Sequence, residues 1–165
     1  MEYIITAMLA EDWPQVLEIY RLGIESGLAT FEKQLPSYEK WDSSHLQICR
    51  FTAKQNDKVL GFAALSPTSA RNCYRGVVEV SLYVHPDYAR KGIGKKLMEA
   101  LIEASEANGL WCLYSAIIAE NKPSISLHEK CGFRIIGHRE RIAQMEDGSW
   151  HDTCLMERRS KVAGQ

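Results

Sequence analysis

The sequence has no excess of either charge. Its 165 residues carry 20 Lys and Arg against 21 Asp and Glu, a formal net charge of −1. Nucleic-acid binders concentrate positive charge, so this balance argues against DNA or RNA as a partner. No apolar run approaches the ~18 residues that a membrane helix requires, so no helical membrane span is expected. The opening residues, "MEYIITAMLAEDW", lack the basic start and long apolar centre of a secretory leader. Five cysteines (Cys49, Cys73, Cys112, Cys131 and Cys154) are scattered, odd in number and never spaced C-x-x-C. That argues against a disulfide framework or a zinc knuckle and fits a reducing cytosol. The His and Cys residues also lack metal-ligand spacing, so no metal is expected. Repeats, low-complexity tracts and linkers are missing too. A single cytoplasmic domain over 1–165 is the expectation, with about 159–165 a flexible tail.

What is present is ordinary globular material, 45% hydrophobic and 25% charged, enough for a sizeable core. Residues 2–9 alternate as a first strand. A helix follows over 10–27, with Asp12 as its expected N-cap and Pro14 in its first turn. Val16, Ile19, Tyr20 and Gly23 share one face of that helix. A loop over 28–37 leads to a poorer helix over 38–47. Two strands around "QND" fill 48–67, and "VVEVSLYV" (77–84) reads as the clearest strand. The next helix, 92–108, turns Ile93, Leu97, Leu101 and Ile102 inward and Lys95, Lys96, Glu99, Glu103 and Glu106 outward, and stops at Gly109. A strand at 111–118, a short helix at 122–131 and two strands over 133–158 complete the order β-α-α-β-β-β-α-β-α-β-β. This is an α/β chain whose mixed sheet is expected to carry helices on both faces.

Between the clearest strand and its helix stands Arg90-Lys91-Gly92-Ile93-Gly94-Lys95. It is no Walker loop, because Lys96 follows Gly94-Lys95 and no glycine stands five residues before Gly94. It is no dinucleotide fingerprint either, because Leu97 replaces the third glycine. What remains is a pair of side-chain-free positions at a helix start, where backbone N–H groups can meet an anion, with three basic residues beside them. A tight turn with solvated lysines is the alternative.

That loop after "EVSLYVHPDY" resembles the acetyl-CoA pyrophosphate loop of the GNAT acetyltransferase superfamily, and "NKPSISLHEKCGF" resembles the same superfamily's second signature. "VEVSLYVHP", "SISLHEKCGF", "ARNCYRG", "GSWHDTCLME" and "TFEKQLPS" are similar to segments of its phosphinothricin N-acetyltransferase group, which includes methionine sulfoximine and methionine sulfone acetyltransferases. The resemblance implies the GNAT fold, acetyl-CoA as co-substrate, a small amine acceptor and a homodimer. It implies that the backbone of Leu82, Tyr83 and Val84 pairs with the pantetheine arm, and that Asn121 and Ser124 lie against the cofactor. Those two residues otherwise read as a helix cap.

Glu79 is the candidate general base. Its strand is apolar, it shares a face with Ser81 and Tyr83, and partial burial would raise its pKa toward a useful value. A salt-bridged rim carboxylate is the alternative. His128 stands where many relatives carry a Tyr that protonates the thiolate. It can serve as acid, as base or as a packing residue. Arg71 is a candidate clamp for a substrate carboxylate, with Phe31 and Tyr74 as pocket walls. A surface arginine and minor-core aromatics are the alternatives. Trp150, His151 and Asp152 fall near that pocket or near a dimer contact. Acetylation of a peptide N-terminus, or CoA binding without catalysis, are the competing functions.

Overall fold

The strict alternation at 77–84 is realised as a central strand in the computed structural model, which describes all 165 residues. In chain order the elements are β1 (Ile4–Ala7), α1 (Trp13–Glu25), α2 (Tyr38–Ser44), β2 (Phe51–Gln55), β3 (Lys58–Pro67), β4 (Val77–Val84), α3 (Ile93–Ala107), β5 (Cys112–Ile118), α4 (Lys122–Lys130), β6 (Arg134–Gln144) and β7 (Trp150–Arg159). This is the expected order. The seven strands form one mixed sheet, β1-β2-β3-β4-β5-β7-β6, in which only β4 and β5 run parallel.

Alternating side chains divide the core between the two faces. Val78 packs with Leu97, Met98 and Leu101 of α3, and Val80, Leu82 and Val84 join that cluster. The opposite face holds Val16 and Ile19 of α1 and Trp41 of α2 against Phe62 and Ala64 of β3. Glu79, Ser81 and Tyr83 therefore point toward α1 and α2. In β3 the register steps from Ala53↔Gly61 to Lys54↔Val59, which leaves Leu60 as the extra residue of a bulge.

Three local expectations are corrected. Asp12 occupies the N-cap position of α1, but its side chain accepts none of the helix N–H groups. Its carboxylate accepts the Leu9 N–H at 2.9 Å and meets Lys54 Nζ at 2.6 Å, because a 3₁₀ turn (Ala10–Asp12) precedes the helix. Glu106 does not face solvent but accepts from Arg158 at 2.9 Å and from the Ser160 hydroxyl at 2.9 Å. Residues 160–164, expected as a tail, fold back over Trp111. Arg159 donates to the carbonyls of Ser160, Ala163 and Gly164 at 2.8, 2.9 and 2.7 Å.

Trp111 lies flat on Gly76, where an added Cβ would stand 2.1 Å from its ring. The Gly76 carbonyl also accepts the N–H groups of Trp111 and Cys112, at 2.9 and 3.0 Å. Gly76→Ala must displace either the ring or the backbone that starts the β4–β5 pair. A loss of about 1–3 kcal/mol is expected, as for other overpacked sites, and a urea titration measures it.

Candidate active site

The parallel pair is short. Val77, Val78 and Glu79 face Cys112, Leu113 and Tyr114, and there β4 and β5 part company. From Ser115 to Ile118, β5 continues to pair with β7 alone. The backbone of β4 beyond Glu79 is thus unpaired on its β5 side, while β3 holds its other side as far as Val84. A narrow gap of about 70 Å³ results, lined by Val80–Tyr83, Ser115–Ile118, Ala29, Asn121, Ser124 and His128. Leu82, which lines the gap, and Val84 beyond it pack their side chains against the α3 core.

At one end of the gap lies the basic loop. Gly92 has φ of +81°, a left-handed conformation that glycine adopts freely, and Arg90 is also left-handed at +60°. An added Cβ on Gly94 would come within 3.1 Å of Leu127, so α3 and α4 meet closely at that position. Ile93 is 1% exposed and anchors the start of α3 in the core, so it can contribute only its backbone to a ligand. Lys91 donates to the Asp87 carbonyl at 3.2 Å, and Lys95 sits 3.6 Å from Glu99. Arg90, Lys91 and Lys95 remain solvent-facing beside the first N–H groups of α3.

On the other face opens a cavity of about 930 Å³ between α1, α2, the 29–37 loop and β4. Glu79, Ser81 and Tyr83 form its floor, and Tyr20, Trp41 and Phe62 supply aromatic walls. Phe62 stacks on Tyr83 with ring centroids 5.3 Å apart, and Tyr20 meets Tyr83 edge-on at 5.1 Å. The loop is tied at two points. Asn121 Nδ2 donates to the Leu28 carbonyl at 3.1 Å, and Lys33 reaches Glu146 at 3.9 Å. Burial alone raises the Glu79 pKa, and no cation pairs with it. The phenols of Tyr20 and Tyr83 are pushed up by the same cause.

His128 is 4% exposed at the gap. Its Nδ1 lies 2.7 Å from the Ser124 carbonyl, which can only accept, so Nδ1 carries the hydrogen. Nε2 is then an acceptor for the Ser115 hydroxyl at 2.9 Å. Burial pulls the imidazole pKa down, which favours this neutral form over imidazolium. Asn121 caps α4 through the Ser124 N–H at 3.2 Å.

Phe31 lines the cavity, as expected, and lies 6.4 Å from the His151 ring. Arg71 and Tyr74 do not join it. They belong to the loop before β4, where the guanidinium lies 5.5 Å from the Tyr74 ring centroid and Tyr74 is 46% exposed. The cations on the cavity wall are instead Lys33 and Lys40. Sequence reasoning missed Tyr20, Trp41, Ser81 and His45 as wall residues. No periodic pattern marks Trp41 or His45, because α2 is short and His45 follows its end in an extended conformation. No cluster of three or more His, Cys, Asp or Glu converges anywhere in the fold. No helix is long and apolar enough to cross a membrane.

Comparison with known proteins gives this arrangement its relatives. The model of the acetyltransferase (GNAT) family matches residues 7–133. The chain is 39% identical over 152 residues to the L-methionine sulfoximine/L-methionine sulfone acetyltransferase of Pseudomonas aeruginosa, a match that covers 88% of each chain. A crystal structure of a GNAT superfamily phosphinothricin acetyltransferase from Sinorhizobium meliloti in complex with AcCoA has a TM-score of 0.89 at 28% identity, covering 99% of this chain and 91% of that one. A ribosomal-protein-alanine N-acetyltransferase from Brucella melitensis has a TM-score of 0.86 at 28% identity, covering 95% and 99%. This chain belongs to the GNAT acetyltransferase family.

Proposed function

We propose that this protein transfers the acetyl group of acetyl-CoA to the α-amino group of a small amino-acid-like acceptor, by direct attack in a ternary complex. The observation that carries the reading is the placement of Glu79. It sits on β4 where the gap and the large cavity meet, half-buried and without a cation.

The residues present fit acetyl-CoA. The free edge of β4 offers backbone N–H and C=O groups to an extended amide chain, and the crowded glycine turn leaves helix N–H groups open to a pyrophosphate. Bound there, acetyl-CoA supplies an electrophilic thioester carbon and a thiolate leaving group. The protein does the rest. Leu82, Tyr83 and Val84 hold the arm by backbone groups, and Arg90, Lys91 and Lys95 balance the phosphate charge. Glu79 takes a proton from the acceptor's ammonium, directly or through water, which frees the lone pair for attack. Asn121 and Ser124 shape the gap from the start of α4. His128, neutral and bonded at both ring nitrogens, serves as a positioning residue that fixes Ser115 against α4 rather than as an imidazolium acid.

The acceptor class rests on the cavity. The loop over it is tied to α4 by Asn121 and reaches Glu146 through Lys33, which suits a compact zwitterion better than a long peptide. Lys40 is the wall cation without an ion pair and replaces Arg71 as the partner proposed for an acceptor carboxylate. The likeness to a ribosomal-protein-alanine acetyltransferase makes the peptide reading the one to exclude. Thiol release from acetyl-CoA, followed with methionine sulfone, phosphinothricin, the common amino acids and short peptides, separates them. Turnover with the first two and not with peptides is expected. Turnover with peptides alone would move the acceptor class. Tight CoA binding with no release from any amine would leave a sensor.

A further inference from the structure

His45 follows the last turn of α2, and it is committed to one tautomer. Its Nδ1 lies 2.8 Å from the Trp41 carbonyl, one of the acceptors that a helix end leaves without an intrahelical partner. A carbonyl only accepts, so Nδ1 is the N–H and Nε2 carries the lone pair. The ring is held flat against Trp41, with centroids 4.3 Å apart and planes 21° from parallel. That clamp aims Nε2 into the large cavity, 3.5 Å from the Ser81 hydroxyl. Ser81 stands two residues from Glu79 on the same face of β4, a separation of ~6.7 Å along the strand. Three acceptor groups thus line one wall: the Glu79 carboxylate, the Ser81 oxygen and His45 Nε2. A primary ammonium has three N–H groups to satisfy.

We propose that His45 Nε2, together with Ser81 and Glu79, forms the seat for the acceptor's amino group, and that His45 determines acceptor affinity rather than the rate of the chemical step. This rests on the functional reading above. A protonated His45 would have no lone pair to offer and would repel the ammonium. Burial, with Arg50 nearby, holds its pKa below the ordinary value, so the neutral form prevails at neutral pH. The charged and titratable groups around it are few. Arg50 comes from the segment before β2, its guanidinium 5.0 Å from the Trp41 ring centroid and bonded to Asp42. Glu79 and Tyr83 face the cavity from β4, Tyr20 from α1, Lys40 from α2, Glu32 and Lys33 from the loop, and Glu146 from the turn between β6 and β7. No carboxylate pairs with His45 itself.

Two substitutions test the seat. His45→Phe keeps the stack on Trp41, and His45→Asn keeps a donor for the Trp41 carbonyl, so one guards against loss of fold in the other. With methionine sulfone as acceptor, each is expected to raise the acceptor KM about tenfold or more. Turnover at saturation should change less than about threefold, with the KM for acetyl-CoA unchanged. A second readout does not depend on catalysis. In calorimetry on the CoA-bound protein, both variants should lose affinity for methionine sulfone but not for N-acetylmethionine sulfone, which has no ammonium. An unchanged acceptor KM, equal losses for both ligands, or a fall in turnover at constant KM would each overturn the proposal. A wild-type protein that acetylates a peptide but no amino acid fails the functional reading alone, and the same variants are then compared with that peptide and its acetylated form. A wild-type protein that binds no amine at all overturns both.

Discussion

Glu79→Gln is expected to leave the fold intact and to lower turnover at neutral pH by about 10²–10⁴-fold. The amide occupies the same volume and keeps hydrogen-bonding capacity, but it cannot take the proton that blocks attack by an ammonium. Because burial raises the Glu79 pKa, wild-type activity should fall on the acid side at a pH above the ordinary carboxylate range. The variant should lose that inflection. Its residual rate should climb in alkaline solution, where the acceptor's own amine sheds its proton. The stability effect runs the other way. A carboxyl whose folded pKa lies above its unfolded value favours the fold when protonated, at low pH. That stabilisation is lost as pH rises through the folded pKa and the group ionises in place. The neutral amide avoids this, so the variant should melt slightly higher than wild type at pH 7. A variant that melts higher and still turns over at the wild-type rate would remove Glu79 from the chemistry.

Leu97→Ala should be the most damaging of the apolar changes, at about 2–5 kcal/mol. Leu97 is fully buried where α3 crosses the sheet, and its Cδ1 lies 3.2 Å from the point where a Cβ on Gly61 would stand. The missing side chain in β3 and the leucine of α3 are two halves of one contact. Truncating the leucine leaves a hole that Gly61 cannot fill. Since Gly92 is the N-cap of α3, a loosened helix also moves the basic turn at its start. The expected result is a lower urea midpoint together with a raised KM for acetyl-CoA, while the KM for the acceptor stays near its wild-type value. Loss of stability without a change in the acetyl-CoA KM would show that the turn is held by its own geometry.

The parts of this molecule that could be read from its residues are those with an internal period. Val78, Val80, Leu82 and Val84 alternate with Glu79, Ser81 and Tyr83, and that pattern alone assigns the two sides of β4. Leu97 and Leu101 repeat at helical spacing and lie in the core. Gly92 and Gly94 punctuate a strand-to-helix junction. The acceptor cavity had no such signature. Its walls come from α1, a seven-residue α2, a loop and β4, and only the tertiary fold decides which side of so short a helix faces inward. His45 lies beyond the end of that helix, where no periodicity reaches. Arg71 and Tyr74 illustrate the converse. Their types suit a carboxylate clamp, but the chain spends them on each other outside the cavity. Asp12 had a better partner in Lys54, 42 residues along the chain, which no local rule can see.

The early separation of β4 from β5 has one more consequence, for solubility. An unpaired strand edge recruits foreign strands, and proteins guard their outer edges with charge, proline or short length. Here the free edge is placed inside the sheet, with β5 beside it and α4 and the tied loop across its mouth. This chain thus keeps the free edge of β4 away from neighbouring molecules, which lowers the risk of edge-to-edge aggregation.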